Sequence, residues 1–149
     1  MKTSNFSPLR TLLGGSLLLA LLSGCAQMSN MPGMGMANKL SLSGDQEVPP
    51  VSTAAVGTGQ IRVASDGAVS GSVTTTGMAG TMAHIHIGAK GVNGPVIIPL
   101  VGTSPGVWSV PAGAQLNTEQ LSAYQAGKLY VNVHSALNKG GEVRAQLKP

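Results

Sequence analysis

Residues 39–149 consist of short segments in which apolar and polar residues alternate, separated by turns rich in glycine and proline. Alternation with a period of two is typical of a β-strand with one buried face, and turn residues between such segments favour hairpins. The pattern predicts seven or eight short strands. They fall within residues 39–43, 57–64, 68–76, 81–87, 95–101, 107–110, 128–135 and 142–148.

One short helix is expected before the strand at 128–135. Asn117 is a suitable N-cap, and Gly127 can end the helix in the left-handed conformation. A single helix is too few for repeated βαβ units, which alternate helices with parallel strands. We therefore predict one all-β domain at 39–149, an antiparallel β-sandwich of 7–8 strands with one short helix.

Residues 1–24 resemble a bacterial lipoprotein signal peptide. Two basic residues precede an apolar run at 11–22, which is shorter than the roughly 20 residues that span a bilayer. The sequence Leu-Ser-Gly-Cys at 22–25 resembles a lipobox, which implies cleavage before Cys25 and acylation of that residue. We expect an exported protein that is anchored to the membrane through the lipid on Cys25. A plain signal peptide followed by a free thiol is the alternative.

The residue after the cysteine bears on the location of the anchored protein. Position 26 is Ala, whereas an aspartate at this position would indicate inner-membrane retention in many Gram-negative bacteria. If the source is Gram-negative, we expect the protein at the periplasmic face of the outer membrane.

Composition argues against nucleic acid as a partner. Charged residues make up 9% of the chain, against about 25% in an average soluble domain. Once Lys2 and Arg10 are removed with the signal peptide, seven basic residues face five acidic ones, and they form no basic run. Such a chain lacks the electrostatic footprint of a nucleic-acid-binding protein. A protein of the cell envelope, unidentified by the sequence, is the other partner class that we consider.

Residues 25–38 form a predicted tether that carries four methionines, Met28, Met31, Met34 and Met36. The segment contains Gly, Pro, Ser and Asn and has no hydrophobic periodicity, which is typical of a linker between an anchor and a domain. Thioethers suit Cu(I), so methionines two or three residues apart can also form an auxiliary copper site. A third interpretation makes them targets of oxidants.

The three histidines are predicted to share a face of two neighbouring strands. His84 and His86 are two residues apart, and the apolar residues between them and around His134 point into the core, so the imidazoles are turned away from it. Imidazoles about 6.6 Å apart along a strand, with a neighbouring strand about 4.8 Å away, can bind one metal ion. Met82 on the same face favours copper, with zinc as the second choice. The alternative is three ordinary hydrogen-bonded histidines.

Three further polar residues are expected beside the imidazoles. Asn132 precedes His134 by two residues, and pairing of the last two strands would bring Glu142 and Arg144 close to both. Alternation predicts that Glu142 and Arg144 point away from the core. A carboxylate or amide commonly orients a metal-binding imidazole. Arg144 can instead pair with Glu142.

The sequence gives little sign of other chemistry. Cys25 is the single cysteine and is expected to be acylated. A serine elbow motif, closely spaced paired carboxylates, and glycine patterns typical of nucleotide binding do not occur. The turn at 91–95 is not followed by a predicted helix, so it does not form a phosphate cradle. These observations favour binding or a structural role over catalysis.

Five separated motifs resemble the CHRD family, named after chordin, in the family's order. The resemblance covers residues from about 40 to 147 and implies a β-sandwich, immunoglobulin-like or superoxide-dismutase-like, while it implies little about activity. Ala145 stands where the family usually has glycine. The motifs are LSGDQEVPP at 42–50, AHIHIG at 83–88, NGPV at 93–96, LYVNVHS at 129–135 and GEVRAQL at 141–147.

A weaker likeness is to copper/zinc superoxide dismutases. Those enzymes place a His-x-His on one strand, another histidine on a late strand and an arginine near the copper. His84, His86, His134 and Arg144 would take these places. The chain has three histidines, so the residue that bridges copper and zinc is missing, and dismutase activity is not expected from the resemblance.

Taken together, the sequence favours a lipid-anchored envelope protein with a non-catalytic metal-binding domain, copper first. The rival hypothesis is a structural or protein-interaction module without metal. A third is a copper enzyme that acts on superoxide, with Arg144 attracting the anion.

Overall fold

The computed structural model describes residues 38–149, which lie within one compact unit. The predicted signal peptide, Cys25 and the four tether methionines fall outside the described residues. The described strands pair into one sheet around one apolar core, which is the organisation of a domain that folds as a unit.

Within this segment, nine strands and one α-helix make up the fold. The helix, α1 (Thr118–Gln125), precedes the eighth strand, and a 3-10 turn at Gly44–Gln46 follows the first. The predicted all-β class with one short helix is confirmed. The strands are β1 (Asn38–Ser43), β2 (Val56–Val63), β3 (Val69–Thr76), β4 (Gly80–Ile87), β5 (Val96–Pro99), β6 (Val101–Ser104), β7 (Val107–Ser109), β8 (Leu129–Ser135) and β9 (Val143–Gln146).

The strands form one antiparallel sheet in the order β5-β4-β8-β9-β1-β2-β3-β7-β6. The edge strands β5 and β6 follow one another in the chain and are separated by Leu100. The Leu100 side chain is buried, and its N–H donates to the carbonyl of Ala83 in β4 at 2.9 Å. The sheet therefore curls until its two edges meet at this residue, and it is nearly closed.

The apolar run at 95–101, which predicts one strand, is two strands in the structure. β5 pairs with β4, whereas β6 pairs with β7. Strands that change partner at a bend make the corners of such folds, and Leu100 is the corner here. A uniform apolar run does not reveal a change of partner. The sheet consequently has nine strands instead of the predicted seven or eight.

The core is built from the inward-facing residues of the strands. In β3, Val69 and Val73 are buried while Ser70 is exposed, as alternation predicts. In β8, Leu129 and Val131 are completely buried. Burial of an aliphatic side chain of this size contributes about 1.5–3 kcal/mol, so these positions fix the register of the strands.

The helix α1 has the predicted ends. The Asn117 side chain accepts the N–H of Gln120 at 2.8 Å, and the Gln120 side chain accepts the N–H of Asn117 at 3.0 Å, which is a capping box. Gly127 has a φ of +68° just beyond the last turn. Between residues 38 and 149, no helix has the length and apolar character needed to cross a membrane.

The face of β8 that points away from this core is also buried, together with Arg144 of β9 and His86 of β4, because loops cover it. Every residue of β8 is buried. His86 and His134 are 7% and 6% exposed. Glu142 and Arg144 point away from the apolar core, as predicted. They are not exposed to solvent, however, since only 7% and 1% of their surfaces are accessible. The result is a polar layer between sheet and loops that is open to solvent at its Met82 and His84 end.

Candidate functional site

The three histidines form a cluster where β4 pairs with β8. Met82 lies opposite His134 in the strand register, and His84 lies opposite Asn132. One potential ligand atom of each imidazole lies within 4.8 Å of the others. The ring centroids of His84 and His134 are 4.9 Å apart, and those of His84 and His86 are 5.6 Å apart. The structure thus brings the three predicted ligands together on one face of the sheet.

Hydrogen bonds define which ring nitrogen carries the proton in two of the histidines. Nδ1 of His86 lies 2.9 Å from the carbonyl oxygen of Gly94, and Nδ1 of His134 lies 2.9 Å from that of Lys139. A carbonyl oxygen only accepts, so both Nδ1 atoms donate. In the neutral rings, Nε2 then carries the lone pair. Backbone carbonyls commonly orient metal-binding imidazoles in this way.

His84 and His134 are in direct contact. Nδ1 of His84 is 3.0 Å from Nε2 of His134. Because the neutral His134 carries its lone pair on Nε2, His84 donates in the metal-free cluster. Two nitrogens about 2.0–2.1 Å from one ion are about 3 Å apart at an angle of about 95°. The spacing therefore suits a shared proton or a shared metal ion.

Burial lowers the pKa of His84 and His86 below the ordinary value of 6.5. For His84, charge on the other two histidines lowers the pKa further. For His86, the Gly94 carbonyl opposes the effect of burial without cancelling it. Both rings are thus neutral at pH 7, which is the form that binds a metal ion.

Three buried polar atoms around the cluster lack a well-formed hydrogen bond in the described domain: His86 Nε2, Asn132 Oδ1 and Glu47 Oε1. The Asn132 side chain lies close enough to His86 and Glu47 to affect the pKa of both, and its Nδ2 donates to the Gly140 carbonyl at 3.4 Å. Buried polar atoms are nearly always paired. The Asn132 amide is the polar neighbour of His86 Nε2, and because Nδ1 of the neutral ring holds the proton, Nε2 carries a lone pair that a metal ion can accept.

Arg144 lies against a loop instead of the imidazoles. Its guanidinium donates to the carbonyls of Ala89 at 3.3 Å and Val92 at 3.0 Å, and to Asn93 Oδ1 at 3.1 Å. Its Cζ atom is 3.4 Å from the ring centroid of Tyr130. With 1% of its surface exposed, the side chain is not accessible to a dissolved anion.

Tyr130 connects Arg144 to the cluster. Its strand, β8, lies between β4 and β9. The ring stacks on His86 with centroids 4.7 Å apart and planes 6° from parallel. Its hydroxyl accepts the N–H of Gly94 at 3.2 Å. Strand alternation places Tyr130 on the same face as Asn132 and His134, and its contact with His86 confirms that face, but nothing in the sequence assigned it a role.

Glu47 is a further residue of this region to which the sequence assigned no role. It is 4% exposed, and burial raises its pKa to about 7, with the positive charge of Arg144 opposing the change. Gly141 makes room for it, since a Cβ there would lie 2.6 Å from Asn132 Nδ2 and closer to Glu47 Oε1. The available signal was an acidic residue directly before the apolar segment 48–50 in a chain with five acidic residues.

The carboxylate of Glu142 forms its hydrogen bonds away from the imidazoles. Its Oε1 accepts the hydroxyl of Thr53 at 2.8 Å. Hydrogen bonds from Ser135 and Thr53 hold the pKa of Glu142 below its ordinary value. The Lys139 carbonyl, rather than this carboxylate, orients His134.

Met82 is the one predicted thioether ligand that the structure describes. It is 48% exposed on the histidine face, next to the half-buried His84. The auxiliary site predicted at Met28, Met31, Met34 and Met36 lies outside the described residues.

Comparison with known proteins identifies the domain. Residues 39–147 match the family profile of the CHRD domain. This range contains the three histidines, Tyr130, Glu47 and most of the chain. Comparison with curated proteins and with solved structures gives no significant match. The match covers all nine strands except the first residue of β1, and the chain therefore belongs to the CHRD domain family.

Proposed function

We propose that this CHRD protein is a lipid-anchored component of the cell envelope that binds a transition-metal ion through His84, His86 and His134. Copper is the first candidate ion and zinc the second. The domain binds the ion without catalysing a reaction on it. Export and anchoring rest on the sequence of residues 1–25, including the lipobox that ends at Cys25.

The observation that carries the metal proposal is the arrangement of ring nitrogens. Two of the imidazoles donate Nδ1–H to backbone carbonyls, so the opposite nitrogen is a lone-pair donor in each. One of these, His86 Nε2, is buried with no well-formed hydrogen bond and has the Asn132 amide as its polar neighbour. A metal ion would satisfy that atom and take the place of the proton between His84 and His134, and this proton would move from Nδ1 to Nε2 of His84, which stays neutral.

Met82 is the argument for copper over zinc. Three neutral imidazoles with an open position suit Zn²⁺ as well as copper. A thioether suits Cu(I) better than Zn²⁺, and Met82 stands opposite His134 in the strand register. The tether methionines are an auxiliary Cu(I) site in this proposal.

The second candidate is a structural or protein-interaction module without metal. It is favoured by the 3.0 Å contact between His84 and His134, which is a satisfactory hydrogen bond by itself. It leaves His86 Nε2 beside the Asn132 amide without a well-formed hydrogen bond. A copper enzyme acting on superoxide is a weaker third candidate, because the buried Arg144 is held by loop acceptors.

The test is titration of the domain, residues 38–149, with Cu(I), Cu(II) and Zn(II), followed by mass spectrometry under native conditions. We expect one ion per domain, with Kd below 1 µM, a value that corresponds to about 8 kcal/mol. His86→Ala and His134→Ala should weaken binding at least a hundredfold. Met82→Leu should weaken Cu(I) binding more than Zn(II) binding.

Val73→Ala is the matched control, because Val73 is completely buried in β3, away from the histidine face. It should lower stability and leave the metal Kd within threefold of the wild type. A wild-type domain that binds none of the three ions more tightly than 1 µM would exclude the metal proposal, and the histidines would then be structural.

A further inference from the structure

We propose that Arg144 is a positioning residue for His86: by holding the loop 88–94 against Tyr130, it keeps the Gly94 carbonyl on His86 Nδ1 and directs the Nε2 lone pair into the cluster. The relevance of this to metal binding rests on the proposed function. The effect of Arg144 on the tautomer of His86 does not depend on metal binding, so the positioning role and the metal function can be tested separately.

Arg144 holds the loop 88–94 in place through several hydrogen bonds. One planar guanidinium donates to two carbonyls and one side-chain oxygen of residues 89–93. Asn93, the residue that accepts from Nη1, in turn donates to the Val48 carbonyl at 2.6 Å. A buried guanidinium with several fixed acceptors is a rigid contact, because its donors lie in one plane.

The loop 88–94 and the side chain of Tyr130 meet at Gly94. The Tyr130 ring lies under the guanidinium and stacks on His86. Its hydroxyl accepts the Gly94 N–H, and the Gly94 carbonyl accepts from His86 Nδ1. Gly94 itself is closely confined, since a Cβ there would overlap the carbonyl of Ile87. Both contacts of Arg144 therefore lead to the same residue, Gly94.

The Gly94 carbonyl decides which ring nitrogen of His86 carries the proton. A neutral imidazole carries its proton on either nitrogen, and the hydrogen bond at one of them selects the tautomer. With the Gly94 carbonyl in place, Nδ1–H is selected and Nε2 keeps the lone pair. If the loop moves away, both tautomers are populated, and a fraction of the rings presents N–H to the cluster instead of a lone pair.

A purely structural role for Arg144 makes a different prediction. Loss of Arg144 would then lower the stability of the domain but leave the tautomer of His86 unchanged in the folded molecules. The position of the proton on His86 is therefore the decisive measurement.

The test uses the ¹⁵N-labelled, metal-free domain, residues 38–149, at pH 8, with the ring nitrogens observed in two-bond ¹H–¹⁵N correlation spectra. In the wild type, we expect His86 Nδ1 at a protonated-nitrogen shift and Nε2 at a lone-pair shift. In Arg144→Gln, both shifts should move towards intermediate values. Arg144→Lys should resemble Arg144→Gln, because it keeps the charge without the planar donors.

Two further variants keep the test decisive. Tyr130→Phe retains the stacked ring and removes the hydroxyl that accepts from Gly94, so it should shift the same nitrogens even if Arg144→Gln does not fold. Val73→Ala should lower stability without moving them. Wild-type shifts in every folded Arg144 and Tyr130 variant would overturn the proposal.

Metal affinity gives a second readout. If the wild-type domain binds metal, Arg144→Gln should weaken binding tenfold to a hundredfold, roughly the effect of losing the group that orients a ligating imidazole. If the wild type binds no metal while the His86 shifts still move in Arg144→Gln, the positioning role stands and the proposed metal function fails. Unchanged affinity together with unchanged shifts would overturn the positioning role.

Discussion

Among single residues, Glu47 makes the stability of the domain depend on pH. Its pKa is about 7 in the folded protein, and its ordinary value is 4.5. Between these values, the folded protein retains a proton that the unfolded chain has lost. Raising the pH from 5 to 8 therefore favours unfolding, by at most about 3 kcal/mol from this group, because one pKa unit corresponds to about 1.4 kcal/mol.

We predict that Glu47→Gln removes this contribution. Near pH 5 the variant and the wild type should have similar stability, whereas at pH 8 the variant should be more stable by up to about 3 kcal/mol. Urea denaturation of the metal-free domain at both pH values measures this. The comparison must be between the two proteins, since His84 and His86, whose pKa values are lowered, titrate in the same interval with the opposite sign. Equal pH dependence in both would contradict the prediction.

Gly141 is the residue whose replacement should disturb the polar layer most directly. Its φ is +132°, and a Cβ would overlap the carboxylate of Glu47 and the amide of Asn132. We predict that Gly141→Ala costs about 3 kcal/mol, because backbone strain and a buried overlap add together.

Gly113→Ala is the matched control for this effect. Gly113 also has a positive φ, +78°, but a Cβ there would have no atom within 4 Å. Its cost should be the backbone term alone, about 1–2 kcal/mol. Denaturation of both variants measures the difference, and equal costs would show that the space beside Glu47 is not limiting.

At the scale of secondary-structure elements, alternation carries most of the predictive information. It placed β3, β4 and β8 within a residue or two and assigned the three histidines to one sheet face, because a period of two leaves little freedom. It failed at Leu100, where one continuous apolar run divides into β5, which pairs with β4, and β6, which pairs with β7. Periodicity describes which face a residue occupies and contains no information about which strand is its partner.

The cover over the histidine face was the other feature that alternation did not predict. The turn residues at 88–94 and the proline-containing segment after β1 read as exposed loops. In the structure they bury Arg144 and Glu47 through contacts between residues far apart in the chain, such as Asn93 with Val48. Such contacts depend on how the sheet curls, so local sequence identified the imidazoles but missed Tyr130 and Glu47, which surround them.

At the scale of the whole molecule, the position of its few charges is unusual. Residues 38–149 contain twelve charged side chains, seven basic and five acidic, and Glu47, Glu142 and Arg144 among them are buried. Lys, Glu, Arg and Asp are almost never fully buried unless they are paired, because desolvation is costly. All three lie on the sheet side that carries the histidines, where Arg144 holds the loop 89–93 and Glu142 accepts from Thr53, so a quarter of the charged side chains of this segment hold the loops over one face.

The proposed anchor makes a separate prediction about the whole chain. Wild-type protein expressed in its host should incorporate labelled fatty acid and enter the detergent phase on Triton partitioning, because several acyl chains give stable membrane attachment. Cys25→Ser should abolish both labelling and cleavage before residue 25. Ser23→Ala, which keeps a small residue in the lipobox, should be processed normally. If Cys25→Ser is cleaved and distributed like the wild type, the segment is a plain signal peptide, and the proposed metal site would then belong to a protein that carries no lipid.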